Sequence, residues 1–143
     1  MLMMIDVIKA GSRRGRRSRA LLPLAYTLGI LILSSIPDTG RVDSHFDAAM
    51  RWVPPEVQNL LHIPLYGGYS ASWFWGLGPW LHAFWSRCWW AFAISFTYGI
   101  FDEWDQLSIP GRFGSFTDLA LNFLGIALAL VVIALQRIRH ADA

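Results

Sequence analysis

The chain has 143 residues, of which 55% are hydrophobic and 15% aromatic, and its formal net charge is +2 at pH 7. This length suits one domain, and this composition excludes an intrinsically disordered chain and is more apolar than that of a typical soluble protein. Because there is one cysteine, Cys88, an internal disulfide is excluded as well. We therefore expect an all-α integral membrane bundle.

The N-terminal segment, residues 1–19, is basic, with five arginines between positions 13 and 19. Such a run can bind nucleic acid, but its place directly before an apolar segment is typical of a cytoplasmic flank. A secretory signal peptide has the same order of basic and apolar regions. No small-x-small cleavage pattern follows Leu33, and three further apolar segments predict retention in the membrane. We expect a cytoplasmic segment and no nucleic-acid partner.

Four apolar segments come close to the roughly 20 residues that a helix needs to cross a hydrocarbon core about 30 Å thick. They are residues 20–36, 60–77, 85–101 and 116–135. The sequence therefore predicts one domain of four transmembrane helices over residues 20–136, with residues 137–143 as a cytoplasmic tail.

Orientation follows from the basic residues, because lysine and arginine concentrate in cytoplasmic flanks. With the N-terminus inside, nine basic residues lie on the inner side, and Arg41, Arg51 and Arg112 lie on the outer side. Eight of the ten acidic residues lie outside. We expect both termini to be cytoplasmic and residues 102–118 to face outward. The tryptophans of residues 73–90 are expected to form an aromatic belt at the inner interface.

The outer segment between the first two spans contains its own helix signals. Apolar residues at helical spacing in residues 44–53 predict a short interfacial helix. Pro54 ends that stretch, and Pro55 suits the first turn of the next helix. Pro64 is expected to kink the second span beside Gly67 and Gly68.

Three of the predicted spans carry polar side chains near the outer boundary. These are His62, Tyr66 and Tyr69 on the second span, Asp102, Glu103 and Gln106 at the end of the third, and Asp118 and Asn122 at the start of the fourth. Spacings of three and four residues put His62, Tyr66 and Tyr69 on one helix face, and likewise Asp102 with Gln106 and Asp118 with Asn122, while Glu103 lies on an adjacent face. Since isolated polar groups in lipid stay unsatisfied, we expect one cluster. The alternatives are a purely structural hydrogen-bond network and, for Asp118, helix capping.

Arg112 follows the Pro110-Gly111 turn and is the basic residue of this acidic segment. It can pair with Asp102 or Glu103, or its planar fork can hold a phosphate or carboxylate of a ligand. His62 with Asp102 or Glu103 is also a workable acid/base pair.

Motifs for other chemistries are missing. Without HxxxH or HExxH spacing we expect no metal site, and without phosphate-loop or dinucleotide motifs we expect no cofactor. Ser108 and Ser115 lack a nucleophile signature such as GxSxG.

The stretch YGIFDEWDQLSIPGRFGSFTDLALNFLG resembles the signature of the VanZ-like membrane proteins. The matching positions are Asp102, Glu103, Gln106, Pro110, Gly111, Arg112, Asp118, Asn122 and Gly125. The resemblance covers roughly residues 22–135 and implies a small multi-pass protein of the bacterial inner membrane. The namesake of the family is associated with low-level resistance to the glycopeptide teicoplanin. Where relatives often carry Asp-Lys, this chain has Gln58-Asn59. If that lysine holds an anion in relatives, this chain either lacks the function or relies on Arg112.

Three functions follow as hypotheses. The first is a non-enzymatic protein whose outer cluster binds a cell-envelope lipid headgroup, a lipid-linked precursor or a glycopeptide-type ligand. Its predicted binding residues are His62, Tyr66, Asp102, Glu103, Gln106, Arg112, Asp118 and Asn122. The second is a membrane enzyme with catalytic candidates His62, Asp102 and Glu103. The third is a structural bundle that associates with itself or a larger complex through Gly67, Gly68, Gly125 and Ala127.

Overall fold

A computed structural model describes the backbone of residues 2–36, 52, 54–112 and 114–141, and the side chains of residues 18–36, 52, 54, 57–112 and 114–141. The helix predicted for residues 44–53 lies outside the described residues, apart from Trp52. The same holds for the side chains of the arginines at positions 13–17.

The described residues form helices and no strand, which confirms the all-α prediction. The helices are α1 (Leu2–Ser34), α2 (Pro55–Leu60), α3 (His62–Gly76), α4 (Phe84–Gln106) and α5 (Phe116–Ala141). Of these, α5 is long and apolar enough to cross a membrane, and Ser18–Ser34 is a shorter apolar helix. Only 17% of the most apolar window of α5 is buried, which is unlike the core helix of a soluble protein.

The helix is interrupted at Leu61, between α2 and α3 and three residues before Pro64. Proline has no N–H, and its ring clashes with the carbonyl four residues earlier, here that of Leu60. The Leu61 N–H turns to the Gln58 carbonyl at 3.1 Å. The helix is thus interrupted ahead of Pro64 and not beside Gly67 and Gly68 as predicted, since α3 runs unbroken through both glycines.

The long helices alternate in direction. Ser34 at the end of α1 lies beside Asp102 near the end of α4, and His62 at the start of α3 contacts Asn122 near the start of α5. At the opposite end, the Arg137 guanidinium lies 4.3 Å from the Phe84 ring centroid. Residues 18–20 of α1 and the end of α5 thus lie at the same end of the bundle.

Close approach of α3 to α5 depends on two glycines. A Cβ at Gly67 would lie 3.1 Å from the Gly125 carbonyl oxygen, and a Cβ at Gly125 would clash with the backbone of Ile63. The buried core beside this contact consists of Ile30, Tyr66, Tyr69 and Ile126. Packing at this distance fixes the position of His62 against α5.

Candidate functional site

A cluster of buried polar side chains lies where α1 and α4 end and α3 and α5 begin. We call it the polar cluster. Its most buried members are Ser34, Asp102, Glu103, Gln106 and Asn122, each with at most 7% of its surface exposed. Because α4 continues past Phe101 to Gln106, Asp102 and Gln106 share one helix face as the spacing predicts. Buried polar groups such as these require hydrogen-bond partners.

A chain of hydrogen bonds links α3, α5 and α4 within the cluster. His62 Nδ1 lies 2.8 Å from Asn122 Oδ1. Asn122 Nδ2 donates to Glu103 Oε1 at 3.4 Å, and the Ser115 backbone N–H donates to Glu103 Oε2 at 3.0 Å. Since a carbonyl oxygen can only accept, His62 donates from Nδ1. Its Nε2 atom therefore carries the free lone pair whenever the imidazole is neutral.

Asp102 belongs to a second branch of the cluster. The Tyr66 hydroxyl, on a fully buried ring, donates to Asp102 Oδ2 at 2.8 Å. Asp102 is 3% exposed, and its other oxygen, Oδ1, has no hydrogen-bond partner among the described residues. The Ser34 side chain lies close to the same carboxyl. An unpartnered buried carboxyl oxygen is costly, so a donor at this position would be stabilising.

Gly99 makes the space in which the two branches meet. A Cβ at Gly99 would lie 3.2 Å from Tyr66 Cε1 and 3.5 Å from Asn122 Nδ2. The His62 and Tyr66 rings stack on the neighbouring face, with centroids 6.3 Å apart. A glycine here lets α4 approach both partners, so Asp102 and Glu103 reach them from consecutive positions.

Arg112 is anchored to α1 by hydrogen bonds. Its Nε donates to the Ile36 carbonyl at 3.1 Å and its Nη2 to the Leu33 carbonyl at 3.3 Å. The Gly111 φ of 79° lets the chain turn directly before it. Arg112 thus ties the loop after α4 to carbonyls at and just beyond the end of α1. Among the described residues it forms no ion pair with Asp102 or Glu103.

Ser115 caps α5. Its Oγ accepts from the Thr117 and Asp118 backbone N–H groups at 3.1 and 3.4 Å. Asp118 therefore follows the cap as a first-turn acid, and its Oδ1 is buried without a partner among the described residues. The spacing of Ser115 and Asp118 is that of a capping box, which is the sequence signal that identifies Ser115 as a cap.

The eight predicted binding residues are thus brought to one end of the bundle, and seven of them lie in or beside the polar cluster. Arg112 lies on the rim at α1, and Gln106 is buried at the end of α4. Ser34, Gly99 and Ser115 complete the cluster although the polar spacing alone does not select them. Among the described residues, no three His, Cys, Asp or Glu side chains form a group that could hold a metal ion.

A groove of about 530 Å³ opens beside the cluster along α4. Its lining is mostly apolar and consists of Tyr69, Trp90, Ala93, Ile94, Thr97, Tyr98 and Phe101. Tyr69 packs edge-on against Tyr66, with ring centroids 6.1 Å apart. Phe101 directly precedes Asp102. The groove therefore begins next to the polar cluster and runs toward the other end of the bundle.

Comparisons with known proteins agree with the signature at residues 102–125. Neither the curated proteins nor the solved structures include a match to this chain. A family model described as VanZ/LLP1 matches residues 9–137, a range that includes the whole polar cluster, and the chain therefore belongs to the VanZ/LLP1 family.

Proposed function

We propose that the chain is a bacterial inner-membrane protein that crosses the bilayer four times, with both termini in the cytoplasm. Support comes from the basic flanks and from the helix ends, which alternate between the two ends of the bundle. Large apolar side chains are exposed along α1, α4 and α5, where lipid can cover them. Exposed tryptophans at Trp75, Trp85 and Trp104 lie near the ends of helices, as interfacial aromatic residues do.

Single-cysteine labelling in intact cells tests this topology. In a Cys88→Ser background, cysteine at Ser108 is expected to react with a membrane-impermeant maleimide. Cysteine at His140 is expected to react only after the membrane is permeabilised. Labelling of both positions from outside, or of neither, would contradict the four-span arrangement.

The polar cluster is proposed to bind the headgroup of a cell-envelope lipid, a lipid-linked precursor or a glycopeptide-type ligand. One observation carries the proposal: His62 Nε2 forms none of the hydrogen bonds described above, and the buried carboxyl oxygens Asp102 Oδ1 and Asp118 Oδ1 have no hydrogen-bond partner among the described residues. Family membership extends the proposal to resistance against glycopeptides such as teicoplanin.

The chemistry of the free atoms favours one kind of headgroup. Asp102 and Glu103 repel anions, and two of the Arg112 nitrogens are already bonded to α1. Hydroxyl and ammonium groups, in contrast, donate hydrogen bonds to free acceptors. We therefore expect a sugar or an amine rather than a bare phosphate at the cluster, with an alkyl chain in the adjoining groove.

Mass spectrometry of lipid that co-purifies with the full-length protein tests the binding proposal. Wild type is compared with His62→Ala and with the matched control His82→Ala, an exposed histidine in the loop between α3 and α4. We expect the bound lipid to be lost from His62→Ala and kept in His82→Ala. Arg112→Ala is expected to weaken retention too, because it frees the loop from α1. The same lipids in all four proteins would refute the proposal.

An enzyme is the second candidate, and the tautomer of His62 favours it. The bond from Nδ1 to Asn122 orients the ring and leaves Nε2 as a general base. Among the described hydrogen bonds none joins His62 directly to Asp102 or Glu103, and Glu103 is linked to it through Asn122. This function requires headgroup turnover that disappears in His62→Ala while the fold survives.

A purely structural role is the third candidate. Gly67 and Gly125 contact the opposite helix backbone within the chain, so this face is used internally. Self-association would therefore need other surfaces, and crosslinking in native membranes would detect it.

A further inference from the structure

Three arginines meet at the end of the bundle opposite the polar cluster. Arg19 of α1, Arg87 of α4 and Arg137 of α5 each lie over an aromatic ring. The guanidinium carbons lie 5.4 Å from the Trp75 centroid, 4.7 Å from that of Phe74 and 4.3 Å from that of Phe84, respectively. Stacking on aromatic faces fixes these side chains more firmly than solvent does.

The aromatic rings and a glycine bring the three charges together. Phe74 and Phe84 pack edge to face, with centroids 5.4 Å apart, which links Arg87 to Arg137. A Cβ at Gly78 would lie 3.4 Å from Arg87 Nη1 and 3.5 Å from Arg19 Nη1. The guanidinium groups of Arg87 and Arg19 therefore face the same small space beside Gly78.

Nothing described at this end neutralises the three charges. Within the described side chains, none of these arginines forms an ion pair with a carboxylate. Arg87 Nε is buried and has no hydrogen-bond partner there. Like charges held together and a buried donor left unpaired are both unfavourable unless an anion binds between them. Arg139, two residues after Arg137, is exposed like Arg137 but lies over no described aromatic ring, so the stacking is not shared by every basic residue of this end.

The surroundings indicate what kind of anion fits. Trp75 and Trp85 are 46% and 70% exposed beside the arginines, and such tryptophans settle at headgroup level. Planar guanidinium groups bind phosphate oxygens in pairs. We propose that Arg19, Arg87 and Arg137 bind the phosphate of an anionic membrane phospholipid at the end of the bundle opposite the polar cluster. This second lipid site is independent of the headgroup proposed for the polar cluster.

Native mass spectrometry of the full-length protein in neutral detergent tests the site. The protein is titrated with phosphatidylglycerol, with zwitterionic phosphatidylcholine and with inorganic phosphate. Wild type is expected to bind phosphatidylglycerol more tightly than phosphatidylcholine. Because each lost charged hydrogen bond weakens binding about tenfold, Arg87→Gln and Arg137→Gln should each raise the dissociation constant by about that factor. Either variant suffices if the other does not fold.

Arg139→Gln is the matched control, since it removes the same charge from the same end of α5. Its affinity for phosphatidylglycerol is expected to equal that of wild type. An equal loss of affinity in Arg139→Gln would show that binding depends on net charge alone, and it would overturn the proposal. Equal binding of the two lipids would overturn it as well. Displacement of phosphatidylglycerol by inorganic phosphate at similar concentration would assign the arginines to free phosphate and overturn the lipid assignment.

Discussion

Replacing Gly125 by alanine tests whether the packing of α3 on α5 builds the polar cluster. The added Cβ would clash with the Ile63 carbonyl oxygen and lie 2.9 Å from Ile63 C and Cα. These are backbone atoms of α3, so no side-chain rotation can relieve the contact. The two helices must separate, and His62, which directly precedes Ile63, would move away from Asn122.

The magnitude follows from two opposing effects. Alanine stabilises a helix interior by about 1 kcal/mol relative to glycine, whereas overpacking costs about 1–3 kcal/mol. Because the contact is with backbone atoms, we take the upper overpacking cost of about 3 kcal/mol and expect the free energy of unfolding to fall by about 2 kcal/mol. Gly29→Ala on α1 is the matched control, since nothing lies within 4 Å of its added Cβ. That variant is expected to gain up to about 1 kcal/mol.

Equilibrium unfolding in detergent, followed by tryptophan fluorescence, measures the difference between the two variants. We expect Gly125→Ala to lie about 3 kcal/mol below Gly29→Ala in the free energy of unfolding. Lipid retention should fall in Gly125→Ala as in His62→Ala, because both lose the bond to Asn122. Equal stability of the two alanine variants would refute the close packing of α3 on α5, and with it the position of His62.

Two further substitutions test single hydrogen bonds of the site. Tyr66→Phe removes the donor to Asp102 and should lower the free energy of unfolding by about 1–3 kcal/mol. Tyr26→Phe is the control and should change it little, because the Tyr26 hydroxyl has no hydrogen-bond partner among the described residues. Equal thermal stability of the two variants would contradict the bond between Tyr66 and Asp102. Ser115→Ala removes the cap of α5 and should cost about 1 kcal/mol. Hydrogen exchange should then quicken in the first turn of α5, and the same change in Thr117→Ala, an exposed neighbour, would contradict the capping role.

Much of the fold could be predicted from the sequence because the apolar segments, and the prolines that mark where helices begin, are local signals. The all-α class and the family are confirmed. Pro55 begins α2 as expected of a proline in a first turn. The helix interruption was predicted beside Gly67 and Gly68 but lies at Leu61, because proline disturbs the turn that precedes it. The four-span arrangement stays a prediction.

The site was less accessible to sequence reasoning because its partners come from different helices. Helical spacing correctly grouped Asp102 with Gln106 and His62 with Tyr66 on their own helices. It could not show that Tyr66 pairs with Asp102 and that His62 pairs with Asn122 instead. Arg112 was expected to pair with the acids or to hold a ligand; it bonds to carbonyls at the end of α1, and its contact with a ligand stays a prediction. Such choices depend on packing distances that no local pattern contains.

The internal bonds of the polar cluster decide what a ligand can gain there. Glu103 already accepts from Asn122 and from the Ser115 backbone, so a ligand that displaced either bond would leave a buried donor unpaired. Binding energy can therefore come from atoms with no hydrogen-bond partner among the described residues, which include His62 Nε2, Asp102 Oδ1 and Asp118 Oδ1. These atoms accept hydrogen bonds, which selects ligands rich in donors. The arginines at the other end have the opposite character, and the two ends of one small bundle are thereby suited to different parts of the envelope lipids.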